Sequence, residues 1–329
     1  MKYSASLDGV RALAALLIVF YHAPLPYFTG GFFSVDIFFV LSGYLVTRLL
    51  CEEWQLTGRV CYWSFMRRRI RRLAPALLLM LLFYLMVAPL FFAEVPWLKH
   101  VQDAFWTALY VINYVASFGE LISVLGQVWS LAVEMQFYLL WPLILMPILR
   151  LPKGVAVLFL LSMYLLATVW RDWSAEHSGD LWAFYIRTDG HCSGLLLGGL
   201  IGYWNPRFHR YWTYLAVLIL AFAMTFFSTR WLPTAQYGFT IVELGAALLI
   251  LARPDFLGGA LLAWLGRMSY GLYLWHYILM RICQEQGMDW PWVLLVGGGG
   301  GLLFAVLSHY LLERHFYQSR FLVGRNGLA

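Results

Sequence analysis

The stretch RALAALLIVFYH runs from Arg11 to His22, and only Tyr21 carries a polar group among the ten residues between its basic ends. Similar apolar runs recur along almost the whole chain, separated by short polar connections. Hydrophobic residues make up 62% of the sequence and charged residues 12%, whereas soluble domains carry about 25% charged residues. These features are typical of an integral membrane protein.

The connections between the apolar runs are too short to form a separate soluble domain, so we interpret residues 1–329 as one membrane domain. The net charge of +6 resides mainly at the ends of apolar runs, which favours membrane topology over nucleic-acid binding. The four cysteines have no metal-ligand spacing. We therefore expect the lipid bilayer as a partner, and neither nucleic acid nor a metal.

Hydropathy predicts eleven apolar segments near the length that a membrane helix needs. They are residues 9–28, 31–50, 74–93, 103–118, 129–149, 155–170, 190–204, 212–228, 236–252, 268–283 and 292–312. Basic loops favour the cytoplasm, and the later loops stay inside only if segment 103–118, interrupted by Asn113 and Ser117, does not cross. The predicted fold is all-α and polytopic, with ten transmembrane helices, one re-entrant or surface helix, and both termini cytoplasmic.

The first segment carries two ionisable residues on one face. Eleven residues of α-helix rise about 16.5 Å and turn about 20° past three full circles, so Arg11 and His22 share a face, with His22 nearer the outer end. Either residue alone could be an interfacial anchor. Because charged groups in membrane helices normally face a polar interior, the shared face predicts a polar track through the protein.

Three further residues are candidates for the same track. Asp36 lies near the outer start of the second segment, where a carboxylate could orient the His22 imidazole and raise its basicity. Ser42 could line the cavity or hydrogen-bond to its own helix backbone. Glu134 is an intramembrane carboxylate, which indicates a functional site.

Weaker candidates lie at other levels of the membrane. Arg187, Asp189 and His191 would lie at the outer end, where loop charges are usually only solvated. His276 lies in the middle of its segment, where a structural histidine is the other interpretation. The run GGGGG at residues 297–301 lacks the Lys-Ser/Thr of a phosphate loop, so we expect it to allow close helix packing.

An arginine cluster follows the second segment on the inner side. Positive-inside topology and attraction to anionic lipid could explain it. Its size exceeds what orientation requires, and guanidinium groups suit phosphate recognition, so a phosphate-rich cytosolic ligand is the second interpretation. The cluster consists of Arg67, Arg68, Arg69, Arg71 and Arg72.

These residues lie in motifs that resemble the membrane-bound acyltransferase-3 family, whose members carry an Arg and a His separated by ten residues on the first helix. The motifs occur in the same order as in the family and cover nearly the whole chain. One departure is His315, where the family commonly has Pro after Glu-Arg. The motifs are GVRALAALLIVFYH, GGFFSVDIFFVLSGYL, FMRRRIRRLAP, VWSLAVEMQFYLLWP, TDGHCSGLLLGGLIGY and SYGLYLWHYIL.

The resemblance implies an O-acyltransferase of the bacterial cytoplasmic membrane that moves an acyl group, typically acetyl, from cytosolic acyl-CoA to a hydroxyl of an extracytoplasmic carbohydrate. His22, oriented by Asp36, would be the general base, and Glu134 would bind the acceptor or support the histidine. The inner arginines would hold the CoA phosphates, while Arg11 lines the acyl path. Acetyl-CoA is then the expected co-substrate.

Other functions stay open at this point. A proton-coupled transporter also needs intramembrane Arg, His, Asp and Glu, although the sequence shows no convincing internal repeat. The acceptor could instead be a small molecule or a lipid-linked sugar. Transfer could be direct or pass through an acyl-enzyme, for which Ser42, Tyr21 and the histidines are all possible carriers.

Overall fold

The computed structural model describes residues 4–26, 28–120, 122–229 and 231–318, and no strand occurs among them. The all-α prediction is confirmed, whereas the two termini, predicted to be cytoplasmic, lie outside the described residues. The helices are α1 (Ala5–His22), α2 (Ser34–Thr57), α3 (Tyr62–Phe91), α4 (Trp97–Ala108), α5 (Ile112–Ser117), α6 (Trp129–Ile148), α7 (Lys153–His177), α8 (Leu181–Tyr185), α9 (Thr188–His191), α10 (Ser193–Trp204), α11 (Trp212–Phe226), α12 (Phe239–Ala252), α13 (Ala260–Glu285), α14 (Trp290–Trp292), α15 (Gly299–Ser308) and α16 (Arg314–Gln318).

Among the described residues, seven helical stretches are long and apolar enough to cross a membrane. Helices α10 and α11 are apolar but shorter, and α13 has 26 residues but carries charged side chains near both ends. Each of the ten predicted spans thus corresponds to a helix, while the number of crossings stays a prediction. The seven stretches are Ala5–His22, Gly30–Thr57, Tyr62–Phe91, Gly126–Ile148, Lys153–His177, Thr234–Ala252 and Trp290–Phe316.

The segment predicted to be re-entrant is broken in the middle. Helix α4 ends at Ala108, Tyr110 adopts a left-handed backbone with φ of 57°, and α5 begins at Ile112. The two helices have 12 and 6 residues, whereas a bilayer core of about 30 Å needs about 20 helical residues. Neither helix is long enough to span alone, which agrees with the expectation for this segment.

Helix α2 packs closely against α10 in the centre of the fold. Contact is backbone to backbone, because a Cβ on Gly43 of α2 would lie 2.1 Å from the carbonyl oxygen of Leu195. Trp141 of α6 donates a hydrogen bond from Nε1 to Thr47 Oγ1 of α2 at 2.8 Å. Small residues at such interfaces are how membrane helices approach without a hydrophobic driving force.

Helix α13 lies between α1 and the glycine-rich stretch that leads into α15. A Cβ on Gly301 would lie 2.6 Å from the Cα of His276, and one on Gly297 would lie 2.8 Å from the Cα of Met280. The predicted use of GGGGG in close helix packing is therefore confirmed. The contact also fixes the backbone that carries His276.

We predict that Gly43→Val destabilises the protein by about 1–3 kcal/mol or more, because the added side chain must separate α2 from α10. The measurement is thermal unfolding of the purified protein in detergent. Gly154→Val is the matched control, since nothing lies within 4 Å of a Cβ at that position. Equal unfolding temperatures for the two variants would contradict the described packing.

Candidate active site

A cavity lies between α1, α2, α3, α6 and α13. A second cavity adjoins it and reaches Ser4 and Asp8 at the start of α1. The two share several lining residues, and we call them together the central cavity. The shared residues are Arg11, Ser42, Arg69, Arg72 and Tyr138, and Glu134 lines the first cavity.

The arginine cluster of α3 divides into two groups. Arg69 and Arg72, three residues apart and so on one helix face, line the central cavity. The Arg69 guanidinium lies 4.9 Å from the centre of the Tyr138 ring. Arg68 instead pairs with Glu53 at 2.9 Å, and the remaining two cluster members, Arg67 and Arg71, are exposed. Only part of the cluster can therefore contact a ligand in the cavity.

Ser42, Glu134 and Tyr138 form a hydrogen-bonded group on the wall of the central cavity. Ser42 Oγ and the Tyr138 hydroxyl both donate to Glu134 Oε1, and the two hydroxyl oxygens lie 2.8 Å apart. Glu134 and Tyr138 are four residues apart on α6, which places them on one face. Ser42 is thus bonded to side chains of α6 rather than to its own backbone.

His22 and His276 form a pair in which the hydrogen positions follow from the partners. His276 Nδ1 lies 2.7 Å from the carbonyl oxygen of Leu272, and because a carbonyl can only accept, Nδ1 carries the hydrogen. Neutral His276 therefore has a lone pair on Nε2, which lies 3.0 Å from His22 Nδ1. His22 Nδ1 must donate to it. This assignment leaves the lone pair of neutral His22 on Nε2.

The histidine pair lies next to the central cavity but not on its wall. The ring of His276 is 6.0 Å from that of Tyr273, which lines the cavity. His22 is in the last turn of α1 and is partly exposed. Gln284 Nε2 donates to the carbonyl oxygen of His22 at 3.0 Å, which ties this end of α1 to α13.

The predicted pairing of Asp36 with His22 requires correction. Asp36 Oδ1 instead lies 2.8 Å from Nε2 of His191, and both side chains are buried. The reason is helix periodicity: six residues of α-helix turn through about 600°, so Asp36 and Ser42 lie about 120° apart around α2. Ser42 faces the central cavity, and Asp36 faces α9. His22 takes its partner from α13.

Sequence reasoning did not single out a second buried ion pair. Arg171 Nη1 lies 3.2 Å from Glu243 Oε1, and the two side chains are 2% and 0% exposed. Ser193, Thr240 and Tyr164 also hydrogen-bond to this pair. The sequence did contain a signal for this pair, because Glu243 is the only charged residue in segment 236–252.

No three His, Cys, Asp or Glu side chains in the described part of the chain are arranged to hold a metal.

Arg187 and Asp189 pair with each other away from the central cavity. Arg187 donates to both carboxylate oxygens of Asp189, at 3.0 and 2.7 Å. Trp170 Nε1 donates to the same carboxylate at 3.1 Å. Arg187 lines a separate open groove of about 820 Å³ beside Trp173. The structure therefore does not bring these two residues together with His22 or Glu134.

A family model described as an acyltransferase domain matches residues 4–310. The chain belongs to this acyltransferase family. The match covers α1 to α15 and includes every residue of the central cavity and the histidine pair. Membership agrees with the resemblance of the sequence motifs, and the protein is a multi-pass bacterial membrane member of this family.

Curated relatives of this chain are named as O-acetyltransferases. Peptidoglycan O-acetyltransferase OatA of Listeria monocytogenes is 32% identical over 98% of this chain and 57% of its own length. Putative peptidoglycan O-acetyltransferase YrhL of Bacillus subtilis is 33% identical over 95% of this chain and 55% of its own length. The chain thus spans little more than half the length of these relatives. No solved structure matches it significantly.

We predict that Asp36→Asn destabilises the folded protein by about 1.5–3 kcal/mol, because it removes the charge of a buried carboxylate that hydrogen-bonds to His191. Asp189→Asn is the matched control at a partly exposed pair, where we expect a loss of about 1 kcal/mol or less. Thermal and denaturant unfolding of the purified variants would measure both effects. A stable Asp36→Asn protein without activity would instead place Asp36 in the chemistry.

Proposed function

We propose that this acyltransferase moves an acetyl group from cytosolic acetyl-CoA to a hydroxyl of an extracytoplasmic carbohydrate at the bacterial cytoplasmic membrane. The observation that carries the proposal is the histidine pair, in which His276 holds His22 so that Nε2 has a lone pair. That pair lies beside one end of a cavity whose lining includes three arginines.

Acyl-CoA is the donor that the central cavity suits best. The cavity extends to the first turn of α1, which the positive-inside rule puts on the cytoplasmic side. Arg11, Arg69 and Arg72 line it, and guanidinium groups bind phosphate with charge-assisted hydrogen bonds. We assign Arg69 and Arg72 to the CoA phosphates and Arg11 to the path that the acyl group follows.

His22 acts as the general base in this proposal. Its Nε2 takes the proton of the acceptor hydroxyl, the hydroxyl oxygen bonds to the acyl carbon, and the acyl–sulfur bond to CoA breaks. The proton then passes from His22 to the CoA sulfur. His276 accepts the hydrogen bond from His22 Nδ1 and so stabilises the imidazolium that forms. Glu134 supports the reaction from the cavity wall, and Asp36 acts only indirectly, by holding His191 at the outer end of α2.

The proposed acceptor is a carbohydrate of the cell envelope. The relatives named as peptidoglycan O-acetyltransferases support a peptidoglycan glycan as the first acceptor to test. His22 lies in the last turn of α1, and Arg11 lies nearer the other end of that helix. The predicted topology places the His22 end near the outer face. A hydroxyl that arrives from that face meets His22 before it meets the central cavity.

We predict that His22→Ala lowers acetyl transfer at least 100-fold, because general base catalysis contributes about 10²–10⁴-fold. The measurement is transfer of radiolabel from acetyl-CoA to peptidoglycan fragments by the reconstituted protein. His209→Ala is the matched control, since His209 is exposed. Full activity of a folded His22→Ala protein would refute the base assignment, and acetyl-CoA left intact with every acceptor would favour a transporter.

We predict that Arg69→Gln and Arg72→Gln each raise KM for acetyl-CoA about tenfold or more, because each removes a charged hydrogen-bond donor worth about 1.5–3 kcal/mol. Initial rates at varied acetyl-CoA would measure this effect. Arg67→Gln and Arg71→Gln are matched controls on the same helix, exposed in the structure. Equal effects of all four substitutions would indicate a general electrostatic role for the cluster.

A further inference from the structure

Ser42 is a serine of the central cavity that meets three conditions at once. It lines both parts of the cavity, it is buried, and its Oγ donates to the carboxylate of Glu134. A nucleophilic hydroxyl needs a base within hydrogen-bonding distance and a third group that orients the base. Tyr138 supplies the third group, since its hydroxyl donates to the same Glu134 oxygen.

The surroundings of Ser42 also suit the charge that such a reaction creates. When a serine attacks a thioester, the carbonyl oxygen becomes an oxyanion, which fixed positive groups stabilise in a site with little water. Arg11, Arg69 and Arg72 line the same cavity as Ser42. His22 does not line the cavity, so Ser42 is better placed to meet the donor first.

We propose that Ser42 accepts the acyl group from acyl-CoA and forms an acyl-serine before transfer to the acceptor. This inference rests on the proposed function and adds a covalent intermediate to it. Ser42 Oγ bonds to the acyl carbon, the carbon–sulfur bond breaks, and the serine proton passes through Glu134 to the departing sulfur. The products of this half-reaction are acyl-Ser42 and CoA with a free thiol.

The second half-reaction returns the enzyme to its initial state. The acceptor oxygen bonds to the acyl carbon as His22 takes the acceptor proton, and the bond between the acyl carbon and Ser42 Oγ breaks. The acceptor proton then passes from His22 to Ser42 Oγ, so the net reaction is acyl-CoA plus an alcohol giving an ester plus CoA. The first half-reaction uses the group of Ser42, Glu134 and Tyr138 on the cavity wall. The second uses the histidine pair next to the cavity.

Isotope exchange without an acceptor tests the covalent step. The purified wild-type chain is incubated with unlabelled acetyl-CoA and radiolabelled CoA, and acetyl-CoA is then isolated. An acyl-serine can be attacked by labelled CoA, so we expect label to enter acetyl-CoA. Direct transfer needs the acceptor and gives no exchange. Absence of exchange from a protein that acetylates peptidoglycan fragments would overturn the inference and leave the proposed function standing.

Variants and mass spectrometry identify the residue. We expect Ser42→Ala to lower the exchange at least 100-fold, whereas Ser162→Ala, the matched control at an exposed serine, keeps it. Unfolding temperatures establish that Ser42→Ala is folded. The peptide containing Ser42 should carry one acetyl group after quenching in acid. Exchange that persists in Ser42→Ala, or an acetyl group on another residue, would overturn the assignment.

If folded wild-type protein shows no exchange and acetylates no acceptor, the proposed function itself is rejected. The result that overturns only the acyl-serine is different, because in that case the protein still acetylates the acceptor.

Discussion

Ionisable groups are costly in an apolar membrane unless a partner or a polar cavity compensates them, and the arrangement of this protein follows from that constraint. Arg171 is compensated by Glu243, and Asp36 by His191, through contacts between helices far apart in sequence. Arg11, Arg69 and Arg72 line the central cavity. Buried pairs therefore join the helices, and the cavity gathers cationic side chains on its wall.

The histidine pair shows how helix packing determines the chemistry. His22 has its tautomer fixed by His276, whose own hydrogen is fixed by the carbonyl oxygen of Leu272 one turn earlier on α13. The backbone of α13 is in turn held against Gly301, where no side chain would fit. A run of glycines without any functional group thereby contributes to the orientation of the proposed base.

Periodicity and hydropathy predict most of the fold, since both depend on residues near one another in sequence. The helices and the common face of Arg11 and His22 could be inferred in this way. The contact partners of these residues could not be inferred, because His22 and His276 are 254 positions apart and the sequence does not show which helices are in contact. For the same reason Asp36 was predicted to pair with His22, although the helical angle between Asp36 and Ser42 already places the two residues on different faces of α2.

In the proposed function, an acetyl group passes from CoA on one side of the membrane to a hydroxyl on the other. The most direct test uses proteoliposomes whose orientation is mapped by an impermeant thiol reagent at exposed Cys61. Labelled acetyl-CoA is confined to the side of Cys61, and peptidoglycan fragments to the opposite side. We expect label on the fragments; acetylation only when both substrates are on one side would contradict transfer across the membrane.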